Sequence, residues 1–141
     1  MHTMRAFILG LVVILGACAL GNGHVDDDAV FAIVKEVADS IDYRTDEELY
    51  GVFDYWASAR ETEDALAGDC EDYAILALFR IYDRLGVKGA MLTGHGFNAG
   101  TWHAWIEVGG VEYDPTFGAV APESYETWLV WGYDTLRGWM L

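Results

Sequence analysis

Positive charge is scarce in this sequence: 8 lysines and arginines stand against 23 aspartates and glutamates in 141 residues, a formal net charge of -15. A chain so acidic repels phosphate backbones and anionic headgroups, which sets nucleic acid aside as a partner. The acids are scattered along the chain, the pattern of a solvated, soluble surface. Cysteine is scarce as well, with Cys18 and Cys70 alone, so no disulfide framework organises the fold. Internal repeats and low-complexity segments are absent. Long hydrophobic runs are missing too, since the apolar stretch at residues 6–17 falls short of the about 20 residues of a confident membrane span. What remains is globular material, 53% apolar and 14% aromatic, enough for one domain around a single core.

The stretch at residues 6–17 has the form of an export signal: Arg5 precedes it and its length suits a signal-peptide core. Two processing sites overlap at its end. Leu15-Gly16-Ala17-Cys18 resembles a bacterial lipobox, which would leave Cys18 as a lipidated N-terminus, while Ala17-Cys18-Ala19 fits ordinary small-x-small cleavage. An uncleaved N-terminal anchor is a third reading, if the ends of the run are stretched. Residues 1–20 are therefore expected to be a signal peptide or lipoprotein anchor and residues 25–141 a folded domain, exported to the periplasm or the cell envelope. Either cleavage lipidates or removes Cys18 and leaves Cys70 without a disulfide partner. In an oxidising compartment a lone thiol is either a reactive group or an inert buried one.

After Gly21-Asn22-Gly23, the acids Asp26, Asp27 and Asp28 favour a helix start, and Val30, Ile33, Val34, Val37 and Ile41 recur at helical spacing, which predicts a helix over 27–41. Residues 43–67 mix acids and aromatics without a clear period and predict short helical turns and loop. A second helix is marked by the stripe Ile75, Leu78, Phe79, Tyr82 and Leu85, with Gly86 placed as a C-terminal cap and Cys70 in the first turn. Residues 87–93 predict a strand and 94–100 a loop. Then 102–108 alternate, Gly109-Gly110 supply the positive φ angles of a tight turn, and 111–114 return as a hairpin. Pairing Val108 with Val111 sets Ile106 opposite Tyr113 and Trp105 opposite Asp114. Trp102, Ala104, Ile106, Val108, Val111 and Tyr113 then share an apolar face, and His103, Trp105, Glu107, Glu112 and Asp114 the other. On that second face His103 and Asp114 are diagonal neighbours, roughly 7–8 Å apart at the backbone and within side-chain reach. Glu107 faces Glu112, a repulsion that predicts a solvated end. The aromatic stretch after Pro122, with Trp128, Trp131 and Trp139, is predicted to cross the domain as a helix and tail.

A thiol on a helix, an imidazole on a strand and a carboxylate on the neighbouring strand are what acyl transfer through a thioester requires. The helix N-terminus, with its unsatisfied N–H groups and positive dipole end, is expected to lower the thiol pKa and to offer donors for an oxyanion. In this reading Cys70 attacks a carbonyl, His103 takes the thiol proton and later protonates the leaving group, and Asp114 holds the imidazole. Other readings stay open: His103 as a structural histidine, Asp114 as a turn residue before Pro115, and His95, set between glycines, as a rival base. Asp69, Glu71 and Asp72 suit helix capping and the helix dipole.

Gly68-Asp69-Cys70-Glu71-Asp72-Tyr73-Ala74, the Trp-His-Ala-Trp-Ile-Glu-Val strand at 102–108 and Tyr113-Asp114-Pro115-Thr116 resemble, in order, the three motifs of transglutaminase-like cysteine peptidases. Asp54-Tyr55-Trp56-Ala57-Ser58 resembles a further signature of the bacterial branch, which includes a periplasmic protease that releases surface adhesins from biofilm cells. The resemblance spans roughly residues 43–118. It implies an α+β fold with a papain-like or transglutaminase-like core, the nucleophile helix packed on an antiparallel sheet, and Cys70, His103 and Asp114 as catalytic residues. It implies for Trp56 an indole N–H that supplies a second oxyanion donor, against the plain alternative of a core aromatic. It also implies calcium beside the nucleophile at Asp69 and Glu71, with Asp72 as the third acid, although two or three carboxylates fall short of a full calcium shell. The thiol chemistry itself requires no cofactor. The chain departs from that branch in its small size and in its Asp-Pro-Thr ending, which is closer to the general transglutaminase core.

The expected function is an exported cysteine hydrolase, bacterial or phage-borne, that cleaves a peptide or amide bond in a protein or peptide substrate, with the cell envelope as its setting. Two alternatives accompany it: a protein-glutamine acyltransferase using the same three residues, and a catalytically silent envelope-binding module on the same scaffold. Membrane attachment is expected only through a lipidated Cys18 or an uncleaved anchor.

Overall fold

The computed structural model describes residues 24–96 and 101–141. The expected export signal at 1–20, with Arg5 and Cys18, and residues 97–100 of the predicted loop lie outside the described residues. Helix α1 (Asp27–Ser40) starts where the Asp26 carboxylate accepts the Ala29 N–H at 3.1 Å, with Asp27 and Asp28 in the first turn, and buries Val30, Ile33, Val34 and Val37. The region expected to hold short turns does so. Strand β1 (Asp42–Tyr43) pairs in parallel with β2 (Ala67–Gly68), and between them lie α2 (Asp46–Tyr50) and α3 (Ala59–Ala65). Each of these helices opens with a capping box, Thr45 with Glu48 and Ser58 with Glu61.

Helix α4 (Cys70–Leu85) is the centre of the domain, packed between α1 and α3 on one side and the main sheet on the other. Its first half is buried all round, from Tyr73 through Leu78, while Tyr82 and Leu85 of the predicted stripe emerge at the surface. Gly86 ends it in the left-handed conformation, φ 68°.

Five antiparallel strands form the sheet: β3 (Ala90–His95), β4 (Trp102–Val108), β5 (Val111–Asp114), β6 (Ala119–Val120) and β7 (Glu126–Gly132), in the order β6-β5-β4-β3-β7. The fold is α+β. The β4–β5 hairpin has the register read from the sequence, with Val108 on Val111 and Ile106 on Tyr113, turning through Gly109 and Gly110 at φ 64° and 87°. The predicted clash of Glu107 with Glu112 is relieved because each acid has its own donor. Glu107 accepts the Gly110 N–H at 2.9 Å, and Glu112 accepts the Trp105 indole N–H at 2.8 Å.

Two expectations are corrected. The strand placed at 87–93 runs instead from Ala90 to His95, since Gly94 and His95 pair with His103 and Trp102 on one side and with Thr127 and Glu126 on the other. A Cβ at Gly94 would lie 2.0 Å from the Glu126 carbonyl oxygen, so only glycine permits this approach. The stretch after Pro122 is not a helix and tail: β7 comes first, followed by the short α5 (Tyr133–Leu136) and a 3-10 turn at Arg137–Trp139. Its run of Thr127, Trp128, Leu129, Val130 and Trp131 is β-branched and aromatic, and it occupies the edge beside β3, where the Trp131 indole donates to the Thr93 hydroxyl at 3.2 Å.

Candidate active site

Strand β4 presents His103, and β5 ends on Asp114. The two meet on the polar face of the hairpin, His103 Nε2 to Asp114 Oδ2 at 2.8 Å, with exposures of 3% and 1%. Asp114 is held on both oxygens: Oδ1 accepts the Thr116 N–H at 3.0 Å, and Oδ2 also accepts the Tyr125 hydroxyl at 2.6 Å. Such a carboxylate is fixed in orientation and kept as an acceptor. His95 faces elsewhere, with Nδ1 3.7 Å from Glu126 and its ring 4.4 Å from Trp128.

Cys70 is the first residue of α4, and the backbone N–H of Ala104, the residue after His103, bonds to its sulfur. The helix start therefore abuts the strand that carries the imidazole. The bond to Asp114 is made through Nε2, which fixes the plane of the imidazole. The thiol itself is not activated as the helix position suggests. It donates to Glu71 Oε2 at 3.2 Å, and burial, then the Glu71 carboxylate, then Asp69 push its pKa up, with only the Ala104 N–H acting the other way. The expected lowering by the helix N-terminus is thus reversed, because the acids that suit the dipole lie against the sulfur.

A cavity of about 650 Å³ opens beside Cys70, walled by Tyr43, Trp56, Trp102 and Trp131, with Asp54, Asp69 and Glu71 on its acidic side. Trp56 is both cavity wall and packing residue, edge-on to Trp131 at 5.1 Å and tilted against Trp139 at 5.6 Å. His103 borders a second cavity of about 340 Å³ with Thr116 and Phe117, and Tyr43 belongs to both.

The three acids named from the sequence have different surroundings. Asp72, fully buried, accepts the Ala57 N–H at 2.8 Å and the Asp69 N–H at 3.3 Å, which staples the Trp56-Ala57 segment to the start of α4. Burial pushes its carboxyl up to about 7. Asp69 and Glu71 face each other, and burial raises both. Asp46 and Asp54, which sequence periodicity does not single out, complete the cluster. Oxygens of Asp46, Asp54 and Glu71 lie within 4.8 Å of one another, as do those of Asp46, Asp69 and Asp72. Asp46 Oδ2 accepts the Tyr55 N–H, while Asp46 Oδ1 and Asp69 Oδ1 are buried with no hydrogen-bond partner among the described residues. Orphaned carboxylate oxygens converging in this way suit a hard cation that takes oxygen ligands.

No protein-family model matches the chain, and no curated protein does. A solved structure is similar: a protein of Cytophaga hutchinsonii, provisionally described as a cysteine protease, shares 24% identity with a TM-score of 0.55 over 72% of this chain and 35% of its own length. The likeness is one of fold, a cysteine-protease-like α+β arrangement.

Proposed function

We propose that the protein is a cysteine hydrolase that cleaves a peptide or amide bond through a thioester on Cys70. The observation that supports this most is the buried 2.8 Å bond between His103 and Asp114 on the strand whose next amide reaches the Cys70 sulfur. Burial and the Glu71 carboxylate push the Cys70 thiol up, which favours His103 as a general base during attack over half of a preformed ion pair. As Sγ bonds to the carbonyl carbon, the thiol proton passes to His103 and Asp114 stabilises the imidazolium. The carbonyl oxygen takes the negative charge, with the Cys70 N–H and the Trp56 indole N–H as its proposed donors. The C–N bond breaks as the imidazolium protonates the leaving amine. Water, deprotonated by the same imidazole, then attacks the thioester, releases the acid and restores the thiol.

The test is mass spectrometry of the protein incubated with envelope proteins and peptidoglycan peptides. A thioester on Cys70 or a cleaved product, lost in Cys70→Ala, is expected. An isopeptide product with release of ammonia assigns acyl transfer in place of hydrolysis. The neutral thiol bonded to Glu71 favours a second reading, a silent binding module. Iodoacetamide labelling separates the two, since a thiol served by a base reacts more slowly in His103→Ala, and an inert one does not.

Calcium is proposed at the acids beside the nucleophile, with Asp46, Asp54, Asp69, Glu71 and Asp72 as the residues that would hold it. Bound there, it would supply positive charge against the carboxylates that crowd the start of α4. The melting temperature is expected to rise with calcium over a chelated sample and to lose that response in Asp46→Asn; no response in the unsubstituted protein removes the metal from the account.

A further inference from the structure

Beyond Asp114 the chain turns at Pro115 and returns along the edge of β5 as β6, a pairing extended by the Ala121 N–H on the Glu112 carbonyl at 2.9 Å. A turn follows in which the Tyr125 N–H reaches the Pro122 carbonyl at 3.0 Å. This return delivers the Tyr125 ring edge-on to Trp105 at 5.0 Å and to His103 at 5.6 Å. It also brings the hydroxyl to 2.6 Å from Asp114 Oδ2, the same oxygen that binds His103 Nε2 at 2.8 Å. An O–H to carboxylate contact of that length is a strong, charge-assisted bond. We propose that Tyr125 is a positioning residue of this site, sharing Asp114 Oδ2 with His103 and so setting the strength and angle of the bond that orients the imidazole toward Cys70. The role in turnover rests on the hydrolase reading; the effect on the His103–Asp114 bond does not.

The physical argument is one of competition at a single acceptor. An oxygen that takes two donors binds each less tightly than it would bind one, and Thr116 on the other oxygen prevents the carboxylate from rotating away. Burial and the Asp114 carboxylate push the Tyr125 phenol up, so it remains a donor over the working pH range. Removing the hydroxyl leaves the ring packing against Trp105 and His103 in place while releasing Oδ2 entirely to the imidazole.

The experiment is proton NMR of the low-field imidazole N–H resonance, assigned by its loss in Asp114→Asn, in the unsubstituted protein, in Tyr125→Phe, and with a fluorinated tyrosine at position 125 at mildly acidic pH. The resonance is expected to move downfield in Tyr125→Phe, as the His103–Asp114 bond tightens, and upfield with the fluorinated ring, whose hydroxyl is the stronger donor. Opposite shifts from two isosteric rings are not produced by a general loosening of the fold. On a substrate turned over by Cys70, kcat should fall about tenfold in Tyr125→Phe with KM little changed. A resonance unmoved by both replacements overturns the proposal whatever the activity, and a moved resonance with unchanged kcat overturns its part in turnover. If turnover proves independent of Cys70, the hydrolase reading falls, and the NMR arm still decides what Tyr125 does to the His103–Asp114 bond. Should Tyr125→Phe fail to fold, the fluorinated protein carries the same test alone.

Discussion

Glu71 accepts a hydrogen bond from the Cys70 thiol at 3.2 Å, so the candidate nucleophile is restrained by the residue that follows it. The contact keeps the proton on sulfur and makes His103 necessary for its removal. Replacing the carboxylate should relax this in part, since burial, the larger cause, remains. In Glu71→Gln the thiol pKa comes down, the thiolate fraction at a given pH rises, and labelling by iodoacetamide near pH 8 speeds up by about threefold for each unit of lowering, the gain in thiolate being partly offset by its lower nucleophilicity. Equal labelling rates for the two proteins would show that Glu71 does not restrain the thiol.

Cys70→Ala should abolish turnover and leave the fold intact. Alanine is the best helix former, and the group removed from the first turn is a single small thiol, so a stability change of about 1 kcal/mol is expected. Activity assays and a urea titration of the same preparation check both halves. The mechanism is falsified if the variant retains amidase activity.

Gly94→Ala should damage the sheet. The added Cβ would fall 2.0 Å from a backbone oxygen of β7, which has no side-chain freedom with which to yield. A loss of about 2 kcal/mol or more is expected from separating β3 and β7, seen as a lower urea midpoint. A midpoint within error of the unsubstituted protein would contradict the close pairing at this position.

Stability should depend on pH in a direction set by Asp72. Burial raises its carboxyl to about 7 in the folded state, against about 3.9 in the unfolded chain. The folded form binds the proton more tightly, so this contribution is full below about pH 4 and is lost as pH rises through about 7. In the presence of a chelator, the urea midpoint should therefore fall between pH 5 and pH 8, and Asp72→Asn should flatten the fall. Glu36 acts oppositely, since its hydrogen bond to Arg84 holds its carboxyl below the usual range and its contribution is lost as pH falls. That pair is largely exposed, and its effect is small.

The meeting of His103 with Asp114 could be read on paper because strand alternation and a Gly-Gly turn leave one register in which the apolar residues share a face. The start of α4 at Cys70 was equally legible from its flanking acids and apolar stripe. Tyr125 was not, because it reaches Asp114 across a return loop that has no period. Strand β7 escaped for a related reason: as an edge strand it exposes Trp128, Leu129 and Val130 alike, so it lacks the polar and apolar alternation by which strands are recognised. Asp46 looks like any acid in the first turn of a short helix, and only the folded chain shows its side chain turned inward. The thiol is pushed up and not down because burial and an adjacent carboxylate act at shorter range than the helix N-terminus, and neither is visible in the spacing of the sequence.

The two-residue parallel pairing of Asp42 with Ala67 and Tyr43 with Gly68 closes a neck around residues 44–66. Everything inside that neck, including Asp46, Asp54 and Trp56, is an excursion whose two ends are pinned immediately before the nucleophile helix. The entropy of closing such a loop grows only with the logarithm of its length. Insertions at the exposed turn around Phe53 can therefore lengthen the excursion cheaply while Cys70, His103 and Asp114 keep their places. The wall of the cavity can diverge by length as well as by substitution, and the cavity can be reshaped without rebuilding the chemistry beside it.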